Sequence, residues 1–349
     1  MIKRTVVVWC KYVFLCSILF SATLIHAQGP LKALIIDGEN NHGFWPMTTM
    51  MIKDYLEQTG MFTVDINRTA FTWQGGAYDK SIGLDDITVL LDKYPLEGHS
   101  DTKPVKEPKP DPNFAPNFSA YDVVISNLGW KASTWKDDVR AALESYVENG
   151  GGFIIVHAAN NSFGDWLEYN RMIGVGGWGG RAKDYGYYAY YDTDGKMVRD
   201  DTEGSCGSHG PQSEFLITSR APDHPIMRGL PRQWMHTKDE LYERLRGPAE
   251  SMTILATAFS DASLNDPSSK KLGRTGRHEP MLMALEYGKG RVFHTALGHM
   301  DYSMECVGFI ITLQRAAEWV ATGKVTQALP SDFPTKTQIS KRDWKGRVN

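Results

Sequence analysis

Short apolar runs alternate with polar turns along the chain, and this alternation predicts an α/β protein. Four runs have the length and composition of strands buried on both faces: Leu31 to Ile36, Phe62 to Ile66, Tyr121 to Ser126 and Gly151 to Val156. A helical pattern from Thr48 to Gln58 separates the first two runs.

The clearest strand–helix–strand unit lies between Tyr121 and Val156. Ser133 or Thr134 is expected to cap its helix, and Asn149-Gly150 is expected to end it. The apolar stripe of that helix is Val139, Leu143, Tyr146 and Val147. A unit of this kind specifies parallel strands joined by a right-handed crossover.

The remaining pattern fits one open α/β domain with long loops at the carboxyl ends of its strands. Pro280 to Tyr287 and Arg291 to Ala296 predict a hairpin, and Val307 to Ala321 predicts a helix ended by Gly323. Glu97 to Pro116, rich in Pro, Lys and Asp, is interpreted as a surface insertion.

The first 27 residues have the features of a secretory signal peptide, with cleavage expected after Ala27. A basic start precedes an apolar segment that is short and interrupted for a membrane span, although a retained N-terminal anchor is the alternative. The expected location is therefore secreted or periplasmic. The remaining chain of about 320 residues would carry 35 basic and 41 acidic side chains, a net charge of −6.

Composition changes this picture only by exclusion. The 349 residues are 42% hydrophobic and 23% charged, which rules out a disordered chain and a small disulfide scaffold. A pI near 6.4 without a basic block argues against a nucleic-acid binder. Cys206 and Cys306 remain after cleavage, and neither a disulfide nor a catalytic Cys is expected.

Candidate chemistry is expected where the parallel strands end, because ligands of open α/β sheets bind outside the carboxyl ends of the strands. His157 ends the strand that precedes it, so it can act as a base or a metal ligand, or as a purely structural histidine. Polar residues that follow the first strand, and two that come just after His157, are expected to bind substrate or to shape turns: Asn40, Asn41, His42, Asn160 and Asn161.

Two later segments add further candidates. His236 and Glu240 are four residues apart, so on a helix they would share a face, suited to a metal or an acid/base pair. Asp239 lies between them, and His299 follows a glycine beyond the hairpin. Asp37 and Glu240 are a candidate carboxylate pair for glycoside hydrolysis. A divalent metal such as zinc is possible, and no zinc-protease or phosphate-loop motif occurs.

Tryptophans are frequent near the same turns, and their faces beside Asn, Asp and His are what a sugar ring requires. Trp45, Trp130 and Trp178 are the candidates for stacking, together with Trp166. Burial in the core is the alternative for each of them.

Several segments together resemble the ThuA-like, or trehalose-utilisation, family. They are Gly150 to Ala159, Asp223 to Pro231, Asp239 to Tyr242, and Gly288 to Phe293 followed by Leu297-Gly298-His299. The resemblance implies a flavodoxin-like fold of the class I glutamine-amidotransferase type over residues 28–326, with 327–349 as a C-terminal tail. His157 stands where the amidotransferases carry their nucleophilic Cys, which excludes a thiol glutaminase mechanism.

The resemblance also implies sugar catabolism. We expect action on a glycoside or 3-keto-glycoside such as a trehalose-like disaccharide, in company with a sugar dehydrogenase and with a homo-oligomer possible. His157, His236 and His299 would carry the chemistry, with Asp37, Asp239 and Glu240 as acids or orienting groups. Asn161 replaces the family's usual Asp, and a His common near Gly179 to Arg181 is missing, which puts catalysis in doubt. The alternative is a non-catalytic sugar-binding protein of the same fold.

Overall fold

The computed structural model describes residues 29–73, 87–96, 102–265 and 272–348, and the predicted signal peptide lies outside them. The strands are β1 Leu31–Glu39, β2 Phe62–Trp73, β3 Lys103–Pro104, β4 Val123–Ser126, β5 Gly152–Val156, β6 Tyr187–Tyr191, β7 Met197–Asp200, β8 Ser208–His209, β9 Ser213–Ser219, β10 Gln233–Asp239, β11 Tyr242–Glu243, β12 Arg246–Gly247, β13 Met252–Phe259, β14 His278–Tyr287 and β15 Gly290–Thr295. The α-helices are α1 Trp45–Glu57, α2 Thr88–Lys93, α3 Asp137–Glu148, α4 Leu167–Ile173, α5 Asp301–Met304 and α6 Val307–Thr322.

One large sheet runs through the described residues in the order β10-β9-β13-β14-β15-β5-β4-β1-β2-β3. Every pair from β15 to β3 is parallel, whereas the pairs from β10 to β15 are antiparallel. The predicted α/β class is confirmed, with a parallel half flanked by helices. The antiparallel half extends the predicted hairpin by three further strands.

Continuous burial explains why the central strands were recognisable from their apolar runs. Ala33, Ile35 and Ile36 of β1 have no exposed surface, and all five residues of β5 are buried. Strands covered on both faces need apolar residues at every position. Helix α6 packs on β5 and β15, and α1 packs on β1 and β2. In the described part of the chain no helix is long and apolar enough to cross a bilayer.

Several boundaries differ from the sequence predictions. Helix α1 begins at Trp45 instead of Thr48, because Pro46 fits the first helical turn, where no backbone donor is needed. Strand β2 continues to Trp73 beyond the predicted Ile66. Helix α3 has Lys136 at its N-cap and no side-chain cap, so the predicted capping role of Ser133 or Thr134 is wrong. Ser133 instead donates its hydroxyl and amide to Glu39.

The segment predicted as a tail lies against the domain. Phe333 and Trp344 are buried, and the Arg342 amide donates to the Glu305 carbonyl. Apart from one bridge between Cys306 and Lys341, residues 327–348 have no regular strand or helix. Apolar side chains therefore hold this irregular segment in place.

Candidate metal centre

Four loops at the carboxyl side of the sheet converge on one buried cluster. His42 follows β1, His157 follows β5, His299 follows β15, and Glu240 directly follows β10. These residues are far apart in sequence, and the parallel arrangement of β1, β5 and β15 brings the three histidines together. We refer to His42, His157, Glu240 and His299 as the metal cluster.

The metal cluster has the dimensions of a cation site. One ligand atom from each of its four side chains lies within 4.8 Å of the others, and all four residues are buried. The His299 Nδ1 lies 3.1 Å from a Glu240 oxygen and 3.3 Å from the His157 Nε2. Ligands about 2.0–2.1 Å from a tetrahedral zinc are roughly 3.4 Å apart. The cluster therefore needs little movement to hold a cation.

Hydrogen bonds on the outer side of two histidines fix their tautomers. The His157 Nδ1 donates to the Ala296 carbonyl at 2.7 Å, and a neutral imidazole that makes this bond has the lone pair of its Nε2 available to a metal. The His42 Nδ1 lies 3.0 Å from the Asn40 side-chain oxygen, whose amide group donates to the carbonyls of Asn127 and Leu128. Metal-binding histidines are usually oriented by such outer partners.

The electrostatics also match a ligand set. Burial alone would raise the pKa of Glu240, but hydrogen bonds and charges from His157 and His299 outweigh it and hold that pKa well below the usual range. Burial, reinforced by His299 and His157, lowers the pKa of His42 well below its usual value. An ionised carboxylate and a neutral imidazole are the forms that bind metals.

His157 has a strained backbone, with φ of 45°. A non-glycine residue in this region carries a conformational cost and is often found at a functional site. The strain occurs where the chain leaves β5 for a short 3-10 helix, His157–Asn161. This sharp turn directs the imidazole into the cluster.

Asp239 holds the loops that carry two of the ligands. Its carboxylate accepts from the amides of Glu240, Gly298 and His299, and from the His236 Nε2 at 2.8 Å. His236 and Asp239 are fully buried. They are therefore placed behind the ligands as a supporting pair. The predicted shared helical face of His236 and Glu240 is wrong, because residues 233–239 form strand β10.

The His236–Asp239 pair predicts a pH-dependent stability. Burial would lower the pKa of His236, but Cys306 and the hydrogen-bonded Asp239 outweigh it and raise that pKa to about 10, against 6.5 for the unperturbed group. The stability gained from protonated His236 is thus complete below pH 6.5 and is lost as the pH rises to about 10. In urea unfolding of metal-free protein, we expect the advantage of wild type over His236→Gln to shrink across this range. A constant difference would contradict a charged His236.

The structure separates the other predicted site residues from the ligands. Asp37 is buried in a bidentate ion pair with Arg68, and Trp45 has no exposed surface. Their predicted roles, in catalysis and in stacking, are therefore wrong: Asp37 neutralises a buried guanidinium, and Trp45 belongs to the core under Arg68. Trp166 is also buried.

The predicted asparagines mostly orient their neighbours. The Asn160 amide donates to the His294 Nε2 at 2.9 Å, and the Asn41 oxygen accepts from the Trp130 amide. Burial lowers the pKa of His294 to about 4, so His294 is a neutral structural residue. Asn161 is 4% exposed, and its side-chain oxygen has no hydrogen-bond partner among the described residues.

Sequence reasoning missed His209, which lies 3.5 Å from Glu240. It also left out Tyr242, whose ring lies 4.3 Å from that of His157. His209 follows a stretch rich in Gly and Ser that carries no periodic signal. Its only indication was a histidine in a glycine-rich loop.

The family model described as ThuA, trehalose utilisation, matches residues 96–320. The chain is 37% identical to a ThuA-like protein from Parabacteroides merdae, with 92% of this chain and all of that chain covered and a TM-score of 0.74. This chain belongs to the ThuA family. The predicted family resemblance is confirmed.

A second ThuA-like protein, from Bacteroides uniformis, shares the fold at 18% identity and a TM-score of 0.51, over 86% of this chain and 95% of that one. A search of curated proteins finds no match. Membership of the ThuA family indicates a carbohydrate-related role.

Proposed function

We propose that this ThuA protein is a secreted or periplasmic, metal-dependent enzyme that acts on a glycoside or 3-keto-glycoside. The observation that carries the proposal is the buried cluster of three histidines and one carboxylate at the carboxyl side of a parallel sheet. Membership of a family described by trehalose utilisation supports a sugar as the substrate.

The donor set fits a divalent first-row cation such as zinc. Three imidazoles and one carboxylate would leave a net charge of about +1 on the occupied site. These four ligands would complete a tetrahedral zinc site, so a substrate oxygen would bind as a fifth ligand. Such an ion would polarise a keto oxygen and thereby acidify the neighbouring C–H bonds. A keto-glycoside would be supplied by a dehydrogenase that oxidises one ring hydroxyl.

The residues of the chain have distinct parts in this scheme. His42 and His157 would coordinate through Nε2, because Asn40 and the Ala296 carbonyl are hydrogen-bonded to their Nδ1 atoms. Glu240 keeps its negative charge, which suits a ligand better than a general acid. Hydrolysis by an Asp37 and Glu240 pair is disfavoured, because Arg68 occupies both oxygens of Asp37.

Metal content and turnover test the proposal together. Purified protein is expected to contain a stoichiometric divalent metal by elemental analysis and to convert 3-keto-trehalose. A chelator should abolish this turnover, and added zinc should restore it. Glu240→Gln is expected to lose both metal and turnover. Metal and sugar binding without conversion of trehalose or 3-keto-trehalose would contradict the enzymatic proposal and favour a sugar-binding protein.

A further inference from the structure

A small two-stranded sheet lies beside the metal cluster and outside the main sheet. Strands β8 and β11 pair so that His209 stands opposite Tyr242, two residues after Glu240. The His209 side chain is 37% exposed, whereas that of Glu240 is only 4% exposed. The small sheet therefore places one imidazole between the buried ligands and solvent.

Aromatic rings connect this position to the cluster. The Tyr242 ring lies 4.3 Å from His157 on one side and 4.9 Å from Trp178 on the other. The Trp178 ring is also 6.1 Å from His209. Trp178 is half-buried and His209 is exposed. Together these two side chains form an aromatic wall, which we call the Trp178–His209 wall.

The backbone at Trp178 is strained. Trp178 has φ of 53°, in the left-handed region that a bulky side chain rarely adopts. Gly207 lies so close to the indole that a Cβ there would come within 2.7 Å of the ring. Strain of this kind concentrates at ligand sites, where the surrounding structure enforces it.

A buried polar group lies next to the wall. The Asn161 side-chain oxygen, which has no hydrogen-bond partner among the described residues, is 3.4 Å from the position of a Cβ on Gly177. Gly177 immediately precedes Trp178. An unsatisfied buried acceptor is costly in the free protein, and a donor that reached it would relieve that cost.

We propose that the Trp178–His209 wall is the sugar-binding subsite of the metal centre. Trp178 stacks on the apolar C–H face of a pyranose ring, and His209 hydrogen-bonds a hydroxyl on the ring edge that faces Glu240. This places the oxygens of that edge toward the metal cluster. The assignment rests on the proposed function and names its ligand class: a pyranoside that offers one apolar face and adjacent oxygen substituents.

Calorimetry on zinc-loaded protein tests the subsite with trehalose and 3-keto-trehalose as probes. Trp178→Ala and His209→Gln are each expected to weaken sugar binding about 3- to 10-fold, in line with one aromatic stack or one neutral hydrogen bond. Zinc affinity should stay within about twofold of wild type in Trp178→Ala, because the printed ring contacts of the indole are with His209 and Tyr242 and with none of the proposed ligands. His209 lies 3.5 Å from Glu240, so His209→Gln is read by its sugar affinity at saturating zinc. Trp178→Phe should recover part of the lost sugar affinity.

The control is Phe259→Ala, which removes another exposed ring, 39% accessible, at the end of β13. It is expected to leave both affinities unchanged. Wild-type sugar binding that survives in Trp178→Ala and His209→Gln would overturn the subsite and leave the metal proposal standing. Failure of wild-type protein to bind zinc, or to bind either sugar once zinc is bound, would overturn the proposed function itself.

Discussion

Replacing His157 by Gln is expected to weaken zinc binding by more than about 100-fold, since changes to outer partners alone cost roughly 10- to 100-fold. The substitution removes a nitrogen donor that the Ala296 carbonyl orients and that lies 3.3 Å from His299. Glu240→Gln should have an effect of similar size, because it removes the single negative charge of the metal cluster. Competition titration with a chromophoric chelator measures both affinities.

The matched control is His278→Gln, which removes a half-buried histidine that packs on Phe259 outside the metal cluster. Its zinc affinity should equal that of wild type. Thermal unfolding distinguishes the loss of a zinc-binding side chain from the loss of the folded structure. Zinc should raise the Tm of wild type and of the control, and not that of His157→Gln. Equal zinc affinity in wild type and His157→Gln would refute the assignment of the cluster as a metal centre.

The parallel half of the fold was predictable because burial on both faces leaves a visible apolar run. Residues 121–156 are the clearest case, since β4, α3 and β5 follow one another directly along the chain. Strand β10 was missed because it contains His236, Lys238 and Asp239, which break an apolar pattern. A buried ion pair removes the signal on which strand recognition depends.

The histidines of the metal cluster were accessible to sequence reasoning for a topological reason. His42, His157 and His299 follow strands that lie close together in one sheet, so the end-of-strand rule selects them. His209 could not be found in this way, because β8 belongs to the separate two-stranded sheet. Its proximity to Glu240 depends on how that sheet docks, which no local pattern encodes.

Register explains the wrong interpretation of Asp37. In the parallel pair of β1 and β2, Asp37 stands opposite Arg68. The sequence showed an acid at the end of a strand, and β2 was expected to stop at Ile66, before the arginine. A catalytic carboxylate and a buried structural one look identical until the partner strand is placed.

Breaking the Asp37–Arg68 pair is expected to cost about 3–5 kcal/mol of unfolding free energy, as for buried pairs that lose one partner. Both side chains are at most 2% exposed, so Arg68→Met leaves an uncompensated carboxylate in the core. The double variant Asp37→Leu/Arg68→Met should lose much less than Arg68→Met, because it leaves no buried charge. Urea unfolding of the metal-free proteins measures the free energy of unfolding of wild type and of both variants.

The surface pair Asp332–Arg342 provides the comparison, because it has the same bidentate contact with side chains 45% and 40% exposed. Arg342→Met should cost less than about 1 kcal/mol, since water screens and competes with exposed pairs. The double variant Asp37→Leu/Arg68→Met should also keep wild-type zinc affinity, because Asp37 lies outside the metal cluster. A loss of zinc binding there, or an Arg68→Met cost as small as that of Arg342→Met, would restore a functional role to Asp37.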